Sequence, residues 1–370
     1  MDDNMHKIRE GKAEIFAPET DKISRKMPVF YNPVMELNRT ISVLLLSSLQ
    51  ERNMQIALPL TGTGVRGIRF LLELEKNKIK YLTFNDNSKT AVSLIKKNVE
   101  INNLGKNKKI IVHNEDANLF MLKSKGFDYI DTDPFGTPVP FLDSSILRLA
   151  RDGILAVTAT DTAALAGSSP NACLRKYSSK PLKNEFMHET GIRILIRKIQ
   201  AVGAQCEKAL IPIFSYAKDH YYRVFLRCIK GRQKVDALLK NHGFILYCDK
   251  CLDRRITFNI FNHKKCISCK SEYDYAGPLW LGDLWDRELV GKMYKNCDKV
   301  DNKLVTLISL IKEESKINAV GFYDLHKVAK ISKKPIPKIE KLVRDTKVAR
   351  THFLGWGVRT KELDFIQLPS

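Results

Sequence analysis

The chain has 370 residues, 44% of them hydrophobic, which excludes a disordered protein and leaves room for two or three domains with real cores. A formal net charge of +21 argues for a polyanionic partner, nucleic acid ahead of an anionic membrane surface. No stretch is long and apolar enough to span a bilayer, the charged N-terminus lacks a signal-peptide core, and eight cysteines in so long a chain suit a reducing cytoplasm better than a disulfide framework.

From about residue 54 to 160, short apolar runs alternate with helical patterns. "MQIALPL" (54–60) predicts a strand that runs into the glycine loop "TGTGVRG" (61–67), and "IRFLLELEKN" (68–77) predicts a helix from its apolar spacing. "KYLTFND" (80–86) predicts a strand ending in an acid, and Ser88 can cap an amphipathic helix over 88–103. "KIIVHNEDA" (109–117), "FDYIDTD" (127–133) and "GILAVTATD" (153–161) predict three more strands. Such alternation predicts a parallel, doubly wound sheet. Two further strands, at 204–218 and 220–231, lie too close for a helical crossover and should pair as an antiparallel hairpin. The expected fold is therefore α/β: a doubly wound, mostly parallel seven-stranded sheet of the class I, Rossmann-like methyltransferase kind. After Gly231 the composition turns to cysteines, aromatics and lysines. That change sets an expected boundary between a catalytic domain of 1–230 and a smaller α+β domain of 231–370.

Gly62, Gly64 and Gly67 form a G-x-G-x-x-G between a strand and a helix, where glycines admit a ligand close to the backbone. Asp86, 19 residues after Gly67, is the acid expected at ribose hydroxyls, and Asp116 and Ala117 belong to the same rim of strand ends. These features fit a dinucleotide or S-adenosylmethionine. The stretch Asp133-Pro134-Phe135-Gly136 favours the second. An exocyclic aromatic amine such as guanine N2 is a poor nucleophile, because its lone pair is delocalised into the ring. The Asp133 carboxylate and the Pro134 carbonyl can hold the amine protons and draw the nitrogen toward tetrahedral geometry, and Asp133 can take up the proton that leaves. Phe135 can stack on the base, which must leave its helix to be reached. Asp131, two residues back, reads as a supporting carboxylate or as an ordinary surface one.

Cys248-x-x-Cys251 and Cys266-x-x-Cys269, 14 residues apart, have the spacing of a closed four-thiolate zinc site. A set with no open position is structural, and His263 nearby is not needed; a rubredoxin-like iron site is the alternative. Residues 322–370 carry eleven Lys and Arg against five Asp and Glu. They predict two short helices joined at Pro335 and Pro337, with Leu325, Val328, Ala329, Ile339, Leu342 and Val343 on their inner faces. A wing-like turn follows at "LGWGVRT", and the whole suits a phosphate backbone.

Taken together, "VFYNPVMELNRTISV" (29–43), "TGTGVRGIRF" (61–70), "DTDPFGTPVPFLD" (131–143), "VTATDTAALAGSSPNACLRKY" (157–177) and "ARTHFLGWGVRT" (349–360) carry a resemblance that runs nearly end to end. The chain resembles the archaeal tRNA (guanine-26-N2)-dimethyltransferases. The resemblance implies a catalytic domain that binds S-adenosylmethionine, a C-terminal domain that helps to hold tRNA, and a cytoplasmic enzyme with no membrane and no obligate protein partner. By motif position it makes Arg39, Arg66, Asp86, Asp116 and Ala117, with the loop glycines Gly62 and Gly64, contacts of the cofactor. It makes Asp133 the acid–base residue, beside Pro134 and Phe135. Arg39 would reach the methionine carboxylate from an N-terminal segment folded over the pocket. The sequence departs from the family at Leu58 and Pro59, where the first strand usually carries an acid. Two other readings compete: an amino-methyltransferase of the DNA adenine-N6 or cytosine-N4 type, and a catalytically inactive, zinc-dependent tRNA-binding protein.

Overall fold

The computed structural model describes residues 5–18, 27–262, 265–297, 301–336 and 338–361. His263 and Pro337 lie outside the described residues. The chain divides into two compact units, Met1–Thr158 with Phe225–Ile229, and Ala159–Val224 with Lys230–Ser370.

The first unit opens with an antiparallel hairpin of β1 (Met5–Glu10) and β2 (Ala13–Pro18), followed by helix α1 (Glu36–Ser48). Then come β3 (Met54–Leu58), α2 (Val65–Glu73), β4 (Ile79–Asn85), α3 (Lys89–Ile101), β5 (Ile110–His113), α4 (Ala117–Lys123), β6 (Phe127–Thr132), α5 (Leu142–Arg148) and β7 (Leu149–Ala159). Strands β3 and β6 are buried on both faces, as near-continuous apolar runs require in a parallel sheet. The Ser88 hydroxyl caps α3 by accepting from Ala91 N at 3.3 Å. Helix α2 starts three residues earlier than its apolar spacing predicts, because Gly64, at φ +87°, turns the chain straight into it. Strand β5 stops at His113, short of Asp116, which caps α4 instead.

The remaining chain gives α6 (Thr162–Leu165), α7 (Pro170–Tyr177), the 19-residue α8 (Met187–Gln205), then β8 (Lys208–Lys218) and β9 (Tyr221–Lys230). With only Asp219 and His220 between them, β8 and β9 form the expected hairpin. The seven-stranded sheet has the order β5-β4-β3-β6-β7-β9-β8, with β3, β4, β5, β6 and β7 parallel. Successive strands run outward from β3 in one direction to β5 and resume on its other side at β6. The carboxyl ends of β3 and β6 therefore flank the switch point, where open α/β sheets bind ligands. Register sets the two ends side by side, Ile56 against Tyr129 and Ala57 against Ile130.

Helix α9 (Arg232–Leu239) leads into a small sheet of β10 (His242–Tyr247), β11 (Arg254–Thr257) and β12 (Asp274–Trp280), with β10 central and both pairings antiparallel. Helices α10 (Arg287–Asn296) and α11 (Asn302–Glu314) follow. Last come β13 (Tyr323–Asp324), α12 (Leu325–Ser332), α13 (Ile339–Asp345), β14 (Ala349–Arg350) and β15 (Gly357–Arg359), with β15 between β13 and β14. The two short helices lie between short strands; of the six residues expected on their inner faces, Leu325, Val328, Ile339 and Leu342 are buried and Ala329 and Val343 half-buried.

Within the second unit, α8 is tied to residues far along the chain. Arg193 donates to Trp280 O at 3.0 Å and Gly282 O at 2.8 Å, and Glu189 pairs with Arg359 at 2.6 Å. Arg359 also pairs with Glu314 at 2.8 Å, and Glu314 accepts from His352. These ties group 159–224 with the C-terminal residues, whereas the composition change after Gly231 sets the expected boundary.

Candidate active site and metal centre

The loop after β3 is shaped by its glycines. Gly62 has φ +58°, and a Cβ there would lie 2.7 Å from Phe30 O. Gly67 meets the sheet so closely that a Cβ would sit 2.3 Å from the Phe84 ring. Asp86, just past β4, accepts from Gly62 N at 2.9 Å through one oxygen and from Ser88 N at 3.0 Å through the other. It thus holds the loop as well as standing at the rim. The buried Asn85 amide spans the strand ends, donating to Pro59 O and Glu115 O, each at 3.0 Å. Pro59 contributes its carbonyl to this staple. Asp116 caps α4 by accepting from Asn118 N at 2.9 Å and Leu119 N at 3.1 Å, and Ala117 is buried beside it. A backbone cradle in which a Cβ at Gly62 or Gly67 would clash, with a carboxylate at the next strand end, suits a nucleoside ligand.

At the end of β6 the structure brings Arg66, Asp131 and Asp133 together. Arg66 pairs with Asp133 through Nη2, donates to Ser42 Oγ at 2.9 Å through Nη1, and lies 3.5 Å from Asp131. Asp131 is 2% exposed and accepts from the Tyr129 hydroxyl at 2.7 Å, so it is not a surface carboxylate. The Asp133 side chain keeps 19% of its surface exposed. Pro134 is buried, and Phe135 is 46% exposed. The edge of one ring meets the face of the other where Phe135 approaches Phe30, with centroids 5.6 Å apart at 89°. Phe30 is 39% exposed. It is a candidate site residue, by its contact with Phe135, that sequence reasoning missed. It lies inside the quoted 29–43 motif, but no periodicity or spacing marks it.

Arg39 has partners of its own in this unit. It donates from Nε to Glu10 at 2.7 Å, pairs with the same carboxylate through Nη2, and donates to Asn32 O at 3.1 Å. Glu10 is also 3.1 Å from Arg69. Burial pushes the Glu10 carboxyl up, and the hydrogen bonds and charges of Arg39 and Arg69 outweigh it and hold it below its ordinary range. Glu10, on the unforeseen hairpin, is the partner that the sequence did not announce.

In the second unit, the sulfurs of Cys248, Cys251, Cys266 and Cys269 lie within 4.8 Å of one another. Two of the pairs are 3.4 and 3.5 Å apart. A tetrahedron with zinc–sulfur bonds of about 2.3 Å has edges of about 3.8 Å, so the donor set fits that metal. The two knuckles are built alike. Leu252 N donates to Cys248 O at 2.8 Å and Lys270 N to Cys266 O at 2.9 Å. Each of these donors has a left-handed φ, 60° and 63°.

Residues 11–366 match the family of N2,N2-dimethylguanosine tRNA methyltransferases. The chain belongs to this family. It is 44% identical over 367 residues to a tRNA (guanine(26)-N(2)/guanine(27)-N(2))-dimethyltransferase of Aquifex aeolicus, covering 96% of this chain and 93% of that protein. It is 40% identical to a tRNA (guanine(26)-N(2))-dimethyltransferase of Methanosphaera stadtmanae, again over 96% and 93% of the two chains. Among solved structures, Trm1 from Pyrococcus horikoshii, in complex with S-adenosyl-L-methionine, superposes with a TM-score of 0.84 at 36% identity, covering 96% of this chain and 97% of that one. The fold class expected from the sequence, a mostly parallel seven-stranded sheet of the methyltransferase kind, is the one observed. Among the described residues, no helix is long and apolar enough to cross a membrane.

Proposed function

We propose that this chain is a cytoplasmic enzyme that methylates the exocyclic N2 of guanine 26 in tRNA, with S-adenosylmethionine as methyl donor. The observation that carries the reading is the pairing, at one switch point, of a glycine cradle with a partly exposed Asp-Pro-Phe-Gly carboxylate in a chain of this family. Gly62, Gly64, Asp86, Asp116 and Ala117 would hold the cofactor, with Asp86 accepting from the ribose hydroxyls. Arg66 and Arg39, the other expected contacts of the cofactor, are each bound to a carboxylate of the chain. Bound there, the cofactor supplies an electrophilic methyl group.

The chain's own residues do the rest. Phe30 and Phe135 form a corner in which a flipped guanine would lie against one ring and abut the other. The Asp133 carboxylate and the Pro134 carbonyl accept from the two amine protons, so the nitrogen lone pair turns out of conjugation toward the methyl carbon. As the new N–C bond forms, the proton lost from the amine passes to Asp133. The second unit, with its zinc ribbon and the basic residues of α12 and α13, would grip tRNA phosphates, and the four thiolates would hold zinc as a purely structural ion.

The test is mass spectrometry of tRNA nucleosides after incubation with enzyme and isotopically labelled cofactor. Label should appear in N2-methylguanosine and N2,N2-dimethylguanosine, and mapping the labelled fragment separates guanine 26 from guanine 27. Label in an adenine or cytosine, or none with cofactor bound, would overturn the reading. Elemental analysis should find one zinc per chain; iron in its place would make the ribbon rubredoxin-like.

A further inference from the structure

Asp131 has no task in the mechanism above, yet it is the more deeply buried of the two carboxylates at the end of β6. It stands two residues before Asp133 and two after Tyr129, whose fully buried ring sends its hydroxyl to Asp131 Oδ2 at 2.7 Å. A carboxylate taken out of water needs a counter-charge, and Arg66 Nη1 lies 3.5 Å from that same oxygen. The other arm of the same guanidinium, Nη2, is on Asp133. Arg66 is held from a third side by Ser42, which accepts from Nη1 at 2.9 Å while donating to Asn38 O at 2.9 Å. The guanidinium fork is planar, so fixing one arm fixes the direction of the other.

We propose that Asp131, braced by the Tyr129 hydroxyl, is a positioning residue for methyl transfer. It holds Arg66 in place, and Arg66 sets where the Asp133 carboxylate meets the guanine amine. The proposal rests on the reading that Asp133 receives that amine. Asp133 lies past the last hydrogen-bonded residue of its strand, ahead of Gly136 at φ +92°, so the backbone alone leaves its carboxylate free to swing. Arg66, tied at once to Asp131 and Ser42, makes a fixed post beside it. With the Asp131 charge gone, the guanidinium is released to close on Asp133 alone and to occupy the oxygen that the substrate needs. A buried ion pair is weak evidence for stability by itself. The geometric account is therefore the one to test.

The experiment is a double-mutant cycle on the full chain, with single-turnover methylation rates at saturating tRNA and cofactor. S-adenosylmethionine affinity by calorimetry and melting temperature are measured beside it. Asp131→Asn should lower the rate at saturating cofactor by about tenfold to a hundredfold, the size of a misplacement near 1 Å. Tyr129→Phe should act in the same direction and less. In an Asp133→Asn background, neither change should lower the remaining rate further, because nothing is left to position. Losses that multiply independently of Asp133, or that appear as weakened cofactor binding with the saturated rate intact, would overturn the proposal. Should Asp131→Asn melt before it can be assayed, the Tyr129→Phe arm of the cycle decides between the outcomes. An Asp133→Asn enzyme as fast as the wild type would overturn the underlying mechanism and this proposal together; a slow Asp133→Asn enzyme with multiplying losses would overturn this proposal alone.

Discussion

At the end of β6, Arg66 joins Asp131 and Asp133, and the Asp133 side chain stays 19% exposed. In the second unit, Arg359 joins Glu189 and Glu314, and all three side chains are fully buried. The chemistry of the two clusters is the same, one guanidinium between two carboxylates. The difference lies in what remains to be bound. Glu189 accepts from Arg193, Gly321 N and Arg359, and Glu314 accepts from Thr351, His352 and Arg359. These carboxylates are sealed from solvent by their own partners. Asp133 instead has a route to solvent and an exposed aromatic ring two residues away. An arginine–carboxylate pair is therefore evidence of function only where one partner keeps a face open.

The largest expected effect falls on the closed cluster. Arg359→Met would strip buried Glu314 of its guanidinium and leave buried Glu189 with Arg193 alone, at a cost of about 3–5 kcal/mol. Chemical denaturation should show this as a lower midpoint for the second unit, and cofactor binding measured below that midpoint should survive. The same cluster has a pH signature. Burial pushes the Glu189 carboxyl up, but Arg359 and Arg193, with the Arg359 and Gly321 hydrogen bonds, bring it down to about 2 from an ordinary 4.5. A depressed carboxyl contributes stability that is fully present above its unfolded pKa and is lost as pH falls through the folded one. Acid unfolding of this unit should thus gather between about pH 4.5 and 2, and Glu189→Gln should weaken that dependence, leaving the part that depressed Glu314 contributes.

The open cluster should fail differently. Asp133→Asn keeps one acceptor oxygen and removes the charge and most of the basicity. Single-turnover methylation should drop by a factor on the order of a hundred or more. Melting temperature and the affinities for tRNA and cofactor should hold, since the loss falls on an interaction that matters most in the transition state. A rate near the wild type's would make Asp-Pro-Phe-Gly only a turn.

These two clusters also divide what the sequence allowed to be read. Parallel strands, the glycine loop, the Ser88 cap and the cysteine knuckles are local, and each announces itself within a few residues. The pairing of Arg359 with Glu189 spans 170 positions and leaves no local trace. Helix α8 escapes sequence reasoning for a related reason. Its buried residues include Glu189, Arg193 and Gln200 as well as its isoleucines, so the apolar stripe that marks an ordinary helix is broken by buried charge. The hairpin that supplies Glu10 reads as a charged N-terminus until its partners Arg39 and Arg69 are seen. At the candidate site, Asp86 and Asp133 are legible as strand-end acids. Phe30 and the buried state of Asp131 are not, because both depend on which distant segment folds beside them.

Asp86 offers a smaller and more selective effect. It takes Gly62 N and Ser88 N with its two oxygens, and it is the proposed acceptor for the cofactor ribose. Asp86→Ala removes charge-assisted hydrogen bonds and unpins the glycine loop, so S-adenosylmethionine affinity should weaken by at least about tenfold. Affinity for tRNA should change little. Calorimetry with cofactor alone checks the first part. A nicotinamide dinucleotide that bound the wild type better than S-adenosylmethionine would show the loop assignment to be wrong.

The smallest effect concerns the lysines on and just after α12. Lys327, on α12, is bound by Glu185 at 3.0 Å and Asp249 at 3.2 Å. Lys330, Lys333, Lys334 and Lys338 surround the joint between α12 and α13. If that joint lies on tRNA phosphates, each phosphate that is no longer neutralised should lower the salt slope of the tRNA binding constant by just under one. A variant with all four neutralised should bind about tenfold more weakly near physiological salt, with cofactor affinity unchanged. Lys333 has φ +54°, so asparagine is the replacement that tolerates its backbone, with glutamine at the other three. Lys327→Gln is the control. It releases Glu185 and Asp249, so it should cost stability and leave the salt slope where it was. Equal slopes in the wild type and the fourfold variant would return the joint to an ordinary solvated surface. A slope that fell with Lys327→Gln alone would mean that this lysine, too, reaches the RNA, and that its two carboxylates compete with phosphate for it.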